Sequence, residues 1–282
     1  MFYRHPAAIV LAAFDHPRSR ADFEAVASTM GVTAEVAEAA RENLCAGRVL
    51  ALVVSGPQAS GKDTVGPAVM AALGAGEHVR IGIADGLKQE TSDLLMLLPE
   101  HEDVVSATRA ASELLGTAES HARVLVEGLW DLTRVREHGL TGWSRTPEIR
   151  RALQYLGNEA REDDPTRYVR IAVPRILGHL AEGVSVYMGD GRFPREAEPC
   201  SRLGMFLVRL HVDAEVKAAR LLARDGIIAD PKTLHHEGEH ALDDWDGVDL
   251  RVDNSHATRP EVVGVVAGAF ALHRARLAHD LR

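Results

Sequence analysis

Short, nearly unbroken apolar runs at Val49 to Val54, Val79 to Ala84, Val184 to Met188, Phe206 to Val212 and Leu250 to Val252 predict five strands. Between them apolar residues recur at helical spacing, first in Val65 to Leu73. Strands alternating with helices predict an α/β fold with a mostly parallel five-stranded sheet covered on both faces, and place ligands at the carboxyl ends of the strands. The interval from Leu87 to Glu182 is too long for one crossover. It reads as helices at Gln89 to Leu98, Ala107 to Leu115, Arg123 to Glu137, Glu148 to Ala160 and Tyr168 to Leu180, an inserted helical region at 87–182.

Residues 1–47 differ in composition from the rest of the chain and form a helical extension to the main domain, 48–282. Ala7 to Phe14 is too short for a leader and runs into Asp15, His16 and Pro17, so a small helix is expected. Ala21 to Met30 and Ala34 to Leu44 have the form of a helix-turn-helix, but Glu35, Glu38 and Glu42 oppose Arg41 alone and would repel phosphates. A structural or oligomerisation cap fits better, and a homodimer is left open.

Composition narrows the partners. A net charge of -9 and a pI near 5.9, with no basic tract, argue against stable nucleic-acid or membrane-surface binding. Cys45 and Cys200 share no metal-ligand spacing and suit free thiols in a reducing cytoplasm.

The chemistry starts at GPQASGKDT, Gly56 to Thr64, set between the first strand and the helix after it. The pattern G-x-x-x-x-G-K-[ST] is met except that Asp63 follows Lys62 and the hydroxyl arrives at Thr64. Such a loop cradles a nucleotide polyphosphate with backbone N–H groups, a helix N-terminus and one lysine. The contacts would come from Gly56, Ala59, Ser60, Gly61, Lys62, Asp63 and Thr64, with Asp63 or Thr64 holding Mg²⁺. The alternative is an ordinary glycine turn with a surface lysine.

Further polar residues cluster at predicted strand ends. ADGLK puts Lys88 near a helix start, either as a solvated lysine or as a cation for an anionic acceptor. GDGRFPREAE supplies Asp190, Arg192 and Glu196, where Asp190 would orient Mg²⁺ or the acceptor and Arg192 grip a phosphate in bidentate fashion, unless the two form a structural ion pair. RALQYLGNEAR places Gln154, Gly157 or Asn158, and Arg161 on one side of a helix. Gln154 can read a base edge, Gly157 permits close approach of a ring, and Arg161 can bind phosphate; the same residues would also suit the outside of a packed helix. In RLLARDG, Arg220 and Arg224 are spaced i, i+4, either as mobile arginines for a transferring phosphoryl group or as a basic helix face. HHEGEH matches H-E-x-x-H from His236 to His240, but the central glycine and preceding Pro231 weaken a zinc helix.

Taken in order, GKDT, ADGLK, LQYLGNEAR, DGRFPRE, HEGE and Asp249-x-x-Val252-x-Asn254 resemble the deoxynucleoside monophosphate kinase family of phages and bacteria, within the P-loop nucleoside monophosphate kinases. Gly191, Arg195 and Asn158 depart from the usual family pattern. The resemblance implies a P-loop NTPase three-layer sandwich with a helical acceptor-binding insertion and a lid at about 220–243. It implies Mg·ATP as donor and a deoxynucleoside 5′-monophosphate as acceptor. Lys62, Asp190, Arg220 and Arg224 would then serve catalysis, and Lys88, Gln154, Gly157, Asn158, Arg161, Arg192 and Glu196 the acceptor. RLLARDG and the Asp249 to Asn254 ending are also similar to dephospho-coenzyme A kinase. A nucleotide-binding switch and a kinase acting on DNA are the readings outside that class.

Overall fold

The structure, a computed structural model, describes residues 18–134, 147–225 and 237–282. Apolar runs rich in β-branched residues extend into β1 (Ala51–Ser55), β2 (His78–Arg80), β3 (Ser185–Met188), β4 (Phe206–His211) and β5 (Leu250–Asp253). They form one parallel sheet in the order β2-β3-β1-β4-β5, with Leu52 of β1 registered against Tyr187 on one side and Phe206 on the other.

Alternation along each strand decides what covers it. Leu52, Val54, Phe206, Val208, Leu210, Leu250 and Val252 join one buried cluster with Val65, Val69 and Met70 of α3 (Lys62–Ala72) and Val262, Val266 and Phe270 of α11 (Arg259–Asp280). The intervening residues Ala51, Val53 and Leu207 are equally buried, as a parallel sheet requires.

The second expected strand, Val79 to Ala84, is shorter than its apolar run. Ile81 and Ile83 are buried, but only His78–Arg80 forms strand. Ile81 N–H still reaches Tyr187 O at 3.1 Å. Asp190 Oδ1 then accepts from Ile83 N–H at 3.0 Å, and helix α4 (Ile83–Leu97) begins there. A carboxylate at a helix N-terminus satisfies an otherwise unpaired donor. Residues 135–146 and 226–236, with Ala7 to Phe14, lie outside the described residues, so the expected helix ahead of Asp15, the end of the Arg123 to Glu137 helix and much of the expected lid do as well.

Two compact units are present, the first from the described parts of Met1–Ile83 and Val169–Arg282, the second Ala84–Tyr168. In the first, α1 (Arg20–Thr29) and α2 (Ala34–Cys45) start at Ser19 and Thr33, whose hydroxyls accept from Asp22 N–H and Val36 N–H. Phe23, Ala27, Ala40 and Leu44 are buried, and Asn43 Nδ2 donates to Leu180 O and Ala181 O at 2.7 and 3.0 Å, capping the end of α8 (Arg167–Ala181).

The second unit is helical. Leu94 and Leu98 pack with Ala107 and Ala111 of α5 (Val104–Leu115), Ala122, Val126 and Leu129 of α6 (Glu119–Arg134), and Ala152 and Leu156 of α7 (Pro147–Asp163). Its polar closure is Glu90, which accepts from Arg167 Nη2 at 2.7 Å and Tyr168 OH at 2.9 Å. No helix among the described residues is long and apolar enough to cross a membrane.

One buried residue of the first unit makes stability depend on pH. His273 is 2% exposed, its Nδ1 lies 2.9 Å from Arg18 Nη1 and its Nε2 lies 3.0 Å from Gly204 O. A guanidinium can only donate, so Nδ1 accepts, Nε2–H donates and the ring is neutral. Burial first, and the Arg18 charge second, hold its pKa down to about 4 against an ordinary value of 6.5. The unfolded chain takes up this proton first, so the stabilisation is complete above pH 6.5 and is lost as pH falls toward 4. Between pH 7 and pH 5 the loss is expected to be about 2 kcal/mol, read from urea unfolding. His273→Gln should flatten that window; an equally steep profile in the variant would assign the loss elsewhere.

Candidate functional site

Residues 56–61 leave the carboxyl end of β1, the central strand, and turn into α3. Gly61, the residue before the helix, has φ 89° and ψ 5°, and no side chain caps α3. Ala59 is also left-handed, with φ 57°, a strained choice for a residue with a side chain. A β-carbon on Gly61 would lie 2.8 Å from Asn254 Nδ2, and one on Gly56 would lie 2.4 Å from Ser60 Oγ and 3.0 Å from Leu210 O. The loop is therefore closely wound as well as left-handed. Among the described residues no acceptor pairs with the N–H groups of Ala59, Gly61, Lys62 and Asp63. Ser60 Oγ is fully buried and has no hydrogen-bond partner among the described residues.

Three elements hold this turn. Asn254 Nδ2, just past β5, donates to Ser60 O at 2.6 Å. Arg220 of α10 (Ala214–Asp225) donates to Ala59 O at 3.3 Å and to Asn254 O at 2.8 Å. Glu239 Oε2 accepts from Gln58 N–H at 2.6 Å. With Ala59 O, Ser60 O and Gln58 N–H anchored in this way, the N–H groups of Ala59, Gly61, Lys62 and Asp63, unpaired among the described residues, are left for another acceptor.

Lys62 opens α3, half-buried, with Pro57 O at 3.4 Å from its ammonium. Burial pushes its pKa down; Asp63, Glu239 and Asp190 oppose that shift and Arg192 adds to it. Asp63 is exposed, and its Oδ1 would lie 3.5 Å from a β-carbon on Gly189, the residue before Asp190. Thr64 Oγ1 donates to Gly61 O at 2.8 Å.

The turn after β3 is built by Glu196, whose Oε2 accepts from Arg192 N–H at 2.9 Å and Phe193 N–H at 3.2 Å, starting α9 (Pro194–Arg202). Glu196 thus shapes the turn that carries Asp190 and Arg192. Arg192 is half-exposed, and its Nη1 donates to Glu239 Oε1 at 3.3 Å. The turn is joined to the end of β1 through Ser55, whose hydroxyl donates to Gly191 O at 2.6 Å. Arg209 of β4, 3% exposed, donates from Nη1 to Ser55 Oγ at 3.1 Å and from Nε to Asp243 Oδ1 at 2.9 Å. Its Nη2 donates to Glu239 O.

The structure thus brings Gly56 to Thr64, Asp190, Arg192 and Arg220 together within the first unit. Arg220 is half-buried on the loop carbonyls, while Arg224, one turn on, is exposed. Lys88, Gln154, Gly157, Asn158 and Arg161 belong to the second unit. There Lys88 Nζ donates to Asp85 Oδ1 at 3.1 Å. Arg161 Nη2 donates to Asn158 Oδ1 at 2.7 Å, its guanidinium lying over Gly157, and Gln154 is exposed.

Sequence reasoning missed Ser55, Arg209, Glu239 and Asn254 as site residues, and Lys217 of α10, whose Nζ donates to Glu239 Oε2 at 3.1 Å. Arg209 carried a signal, as a charged position inside the apolar run Phe206 to Val212, though Arg80 and Arg251 stand likewise in their runs. Glu239 and Asn254 lie within the motifs HEGE and Asp249-x-x-Val252-x-Asn254, but their contacts with the loop are long-range. His236 is outside the described residues, and His240 is exposed, 3.0 Å from Asp243 Oδ2. Among the described residues no cluster of three or more His, Cys, Asp or Glu forms a metal site.

The fold and site define an α/β protein with a parallel five-stranded sheet and a tightly wound glycine loop at the end of its central strand. No protein-family model matches the chain, and no curated protein matches it at a significant level.

Proposed function

We propose that this chain is a P-loop kinase that transfers the γ-phosphoryl group of ATP to a deoxynucleoside 5′-monophosphate, with 87–182 as acceptor-binding insertion and about 220–243 as lid. The observation that carries this reading is the loop at the end of β1. Left-handed Gly61 opens onto Lys62 and a helix whose first amides have no acceptor among the described residues, beside the turn that carries Asp190 and Arg192. In a doubly wound sheet ligands sit where connections leave in opposite directions. β1 connects toward β2 and β4 toward β5, on opposite sides of the sheet order. The nucleoside monophosphate acceptor is drawn from the resemblance.

The loop amides and Lys62 would hold the donor phosphates, and Arg192 a phosphate group in the same unit; within the second unit, Lys88 and Arg161 would serve the acceptor phosphate. Gln154, Gly157 and Asn158 would form the wall that meets the base. Arg220, bonded to the loop, would keep its amides aimed at the donor, and exposed Arg224 would serve the transferring group. An acceptor phosphate oxygen forms the new P–O bond as the bond from the γ phosphorus to the β–γ bridging oxygen breaks and ADP departs. The acceptor phosphate is largely ionised at neutral pH, so no general base is needed.

Asp63 and Asp190 suit Mg²⁺, which takes one or two carboxylates and completes its shell with waters and phosphate oxygens. Asp63 fits better than Thr64, whose hydroxyl is spent on Gly61 O. The ion, when bound, would neutralise charge on the donor phosphates.

The test is a coupled ADP-release assay with Mg·ATP and a panel of dAMP, dCMP, dGMP, dTMP, modified-base monophosphates and dephospho-coenzyme A. At least one deoxynucleoside monophosphate is expected to accelerate ADP release severalfold. No acceleration by any acceptor would discard the kinase reading, and acceleration by dephospho-coenzyme A alone would move it to that class.

A further inference from the structure

Glu239 is 3% exposed, and both carboxylate oxygens are engaged: Oε2 by Gln58 N–H at 2.6 Å and Lys217 Nζ at 3.1 Å, Oε1 by Arg192 Nη1 at 3.3 Å. The carbonyl of the same residue accepts from Arg209, so its main chain is tied to β4 while its side chain reaches two different loops. A buried carboxylate is costly unless compensated, and here Lys217 and the Gln58 amide supply compensation independent of Arg192. The amide and the two cations outweigh burial and hold its pKa below the ordinary carboxylate range, so it is charged at neutral pH.

The consequence lies in the guanidinium. With Nη1 held on Glu239, Arg192 keeps its Nε and Nη2 without a protein partner among the described residues. These two groups form one edge of the planar fork, the edge that grips paired phosphate oxygens. Arg192 also lies close enough to Lys62 to lower its pKa, so an anion on that edge and one on the loop share a neighbourhood.

We propose that Glu239 is a positioning residue that presents the Nε–Nη2 edge of Arg192 to a phosphate group and fixes the phosphate loop through Gln58. One carboxylate thereby sets both halves of the anion site. This inference rests on the reading of the loop as a phosphate site.

The test is calorimetric titration of the full chain with inorganic tripolyphosphate. The wild type is expected to bind, and Lys62→Ala to bind at least tenfold more weakly. Glu239→Gln keeps the shape but loses the charge, and its dissociation constant, measured where the variant is folded, should rise roughly tenfold, with a lower unfolding midpoint because buried Lys217 loses this ion pair. In an Arg192→Ala background the same substitution should cost threefold or less, because the edge it presents is gone. Arg192→Lys retains the ion pair without the fork and should lose about as much as Glu239→Gln, which keeps the proposal testable should that variant not fold. An equal cost of Glu239→Gln in both backgrounds, or unchanged affinity in Glu239→Gln or Arg192→Lys, would overturn the positioning role alone. Absence of Lys62-dependent binding in the wild type would instead remove the phosphate-loop reading, and this inference with it.

Discussion

Lys62→Ala is expected to lower acceptor-dependent ADP release by about 10²–10³-fold, the amount one preorganised charge contributes to a transition state. It should do so without loss of stability. Among the described residues the ammonium has one long hydrogen bond, to Pro57 O at 3.4 Å, and burial depresses its pKa despite the neighbouring carboxylates. A base whose folded pKa lies below its unfolded one costs the folded state whenever both forms are protonated. Removing the charge should therefore leave the urea midpoint unchanged or raise it, the pattern of a residue kept for chemistry rather than for the fold. Rates within threefold of the wild type would remove the loop from the reaction, and a lower midpoint would make Lys62 structural.

The largest loss of stability is expected from Arg18→Ala, at about 3–5 kcal/mol, as for a buried ion pair deprived of one member. Arg18 Nη2 donates to Asp249 Oδ1 and Oδ2 at 2.7 and 2.6 Å, its Nε donates to Ser201 O at 2.9 Å, and its Nη1 reaches His273. Asp249 is itself buried and also accepts from Leu207 N–H, at 2.7 Å, so the variant leaves a carboxylate on the sheet edge with one amide for compensation. Arg18 is also the second-largest cause of the low His273 pKa, while Asp249 raises it. Its removal should let His273 titrate nearer 6.5 and flatten the stability profile between pH 7 and pH 5. Urea unfolding of both proteins across that range checks both outcomes. A loss under 1 kcal/mol would mean that the pair contributes little beyond its own desolvation.

Asp249 also shows how far a motif reaches. The spacing Asp249-x-x-Val252-x-Asn254 was legible in the chain, and so was the strand between its ends. That Asp249 meets Arg18, and that Asn254 holds Ser60 O, was not, because those partners are far away in sequence and are brought close only by the order of the strands. RLLARDG places Arg220 and Arg224 on similar helix faces, yet packing half-buries one against the loop and leaves the other exposed. The run Val79 to Ala84 reads as one strand, and the carboxylate that begins a helix at Ile83 comes from Asp190 after β3.

By itself the sequence determined the local elements and the candidate chemistry. Period-two and period-3.6 apolar patterns act over a few residues, and GPQASGKDT names a strand, a wound turn and a helix within one short stretch. Only the tertiary structure decided which side chains hold that turn. Asn254, Arg220, Glu239 and Arg209 meet the loop and its neighbour through hydrogen bonds made across the parallel sheet order. Such contacts carry no period, because they are fixed by strand neighbours rather than by spacing along the chain.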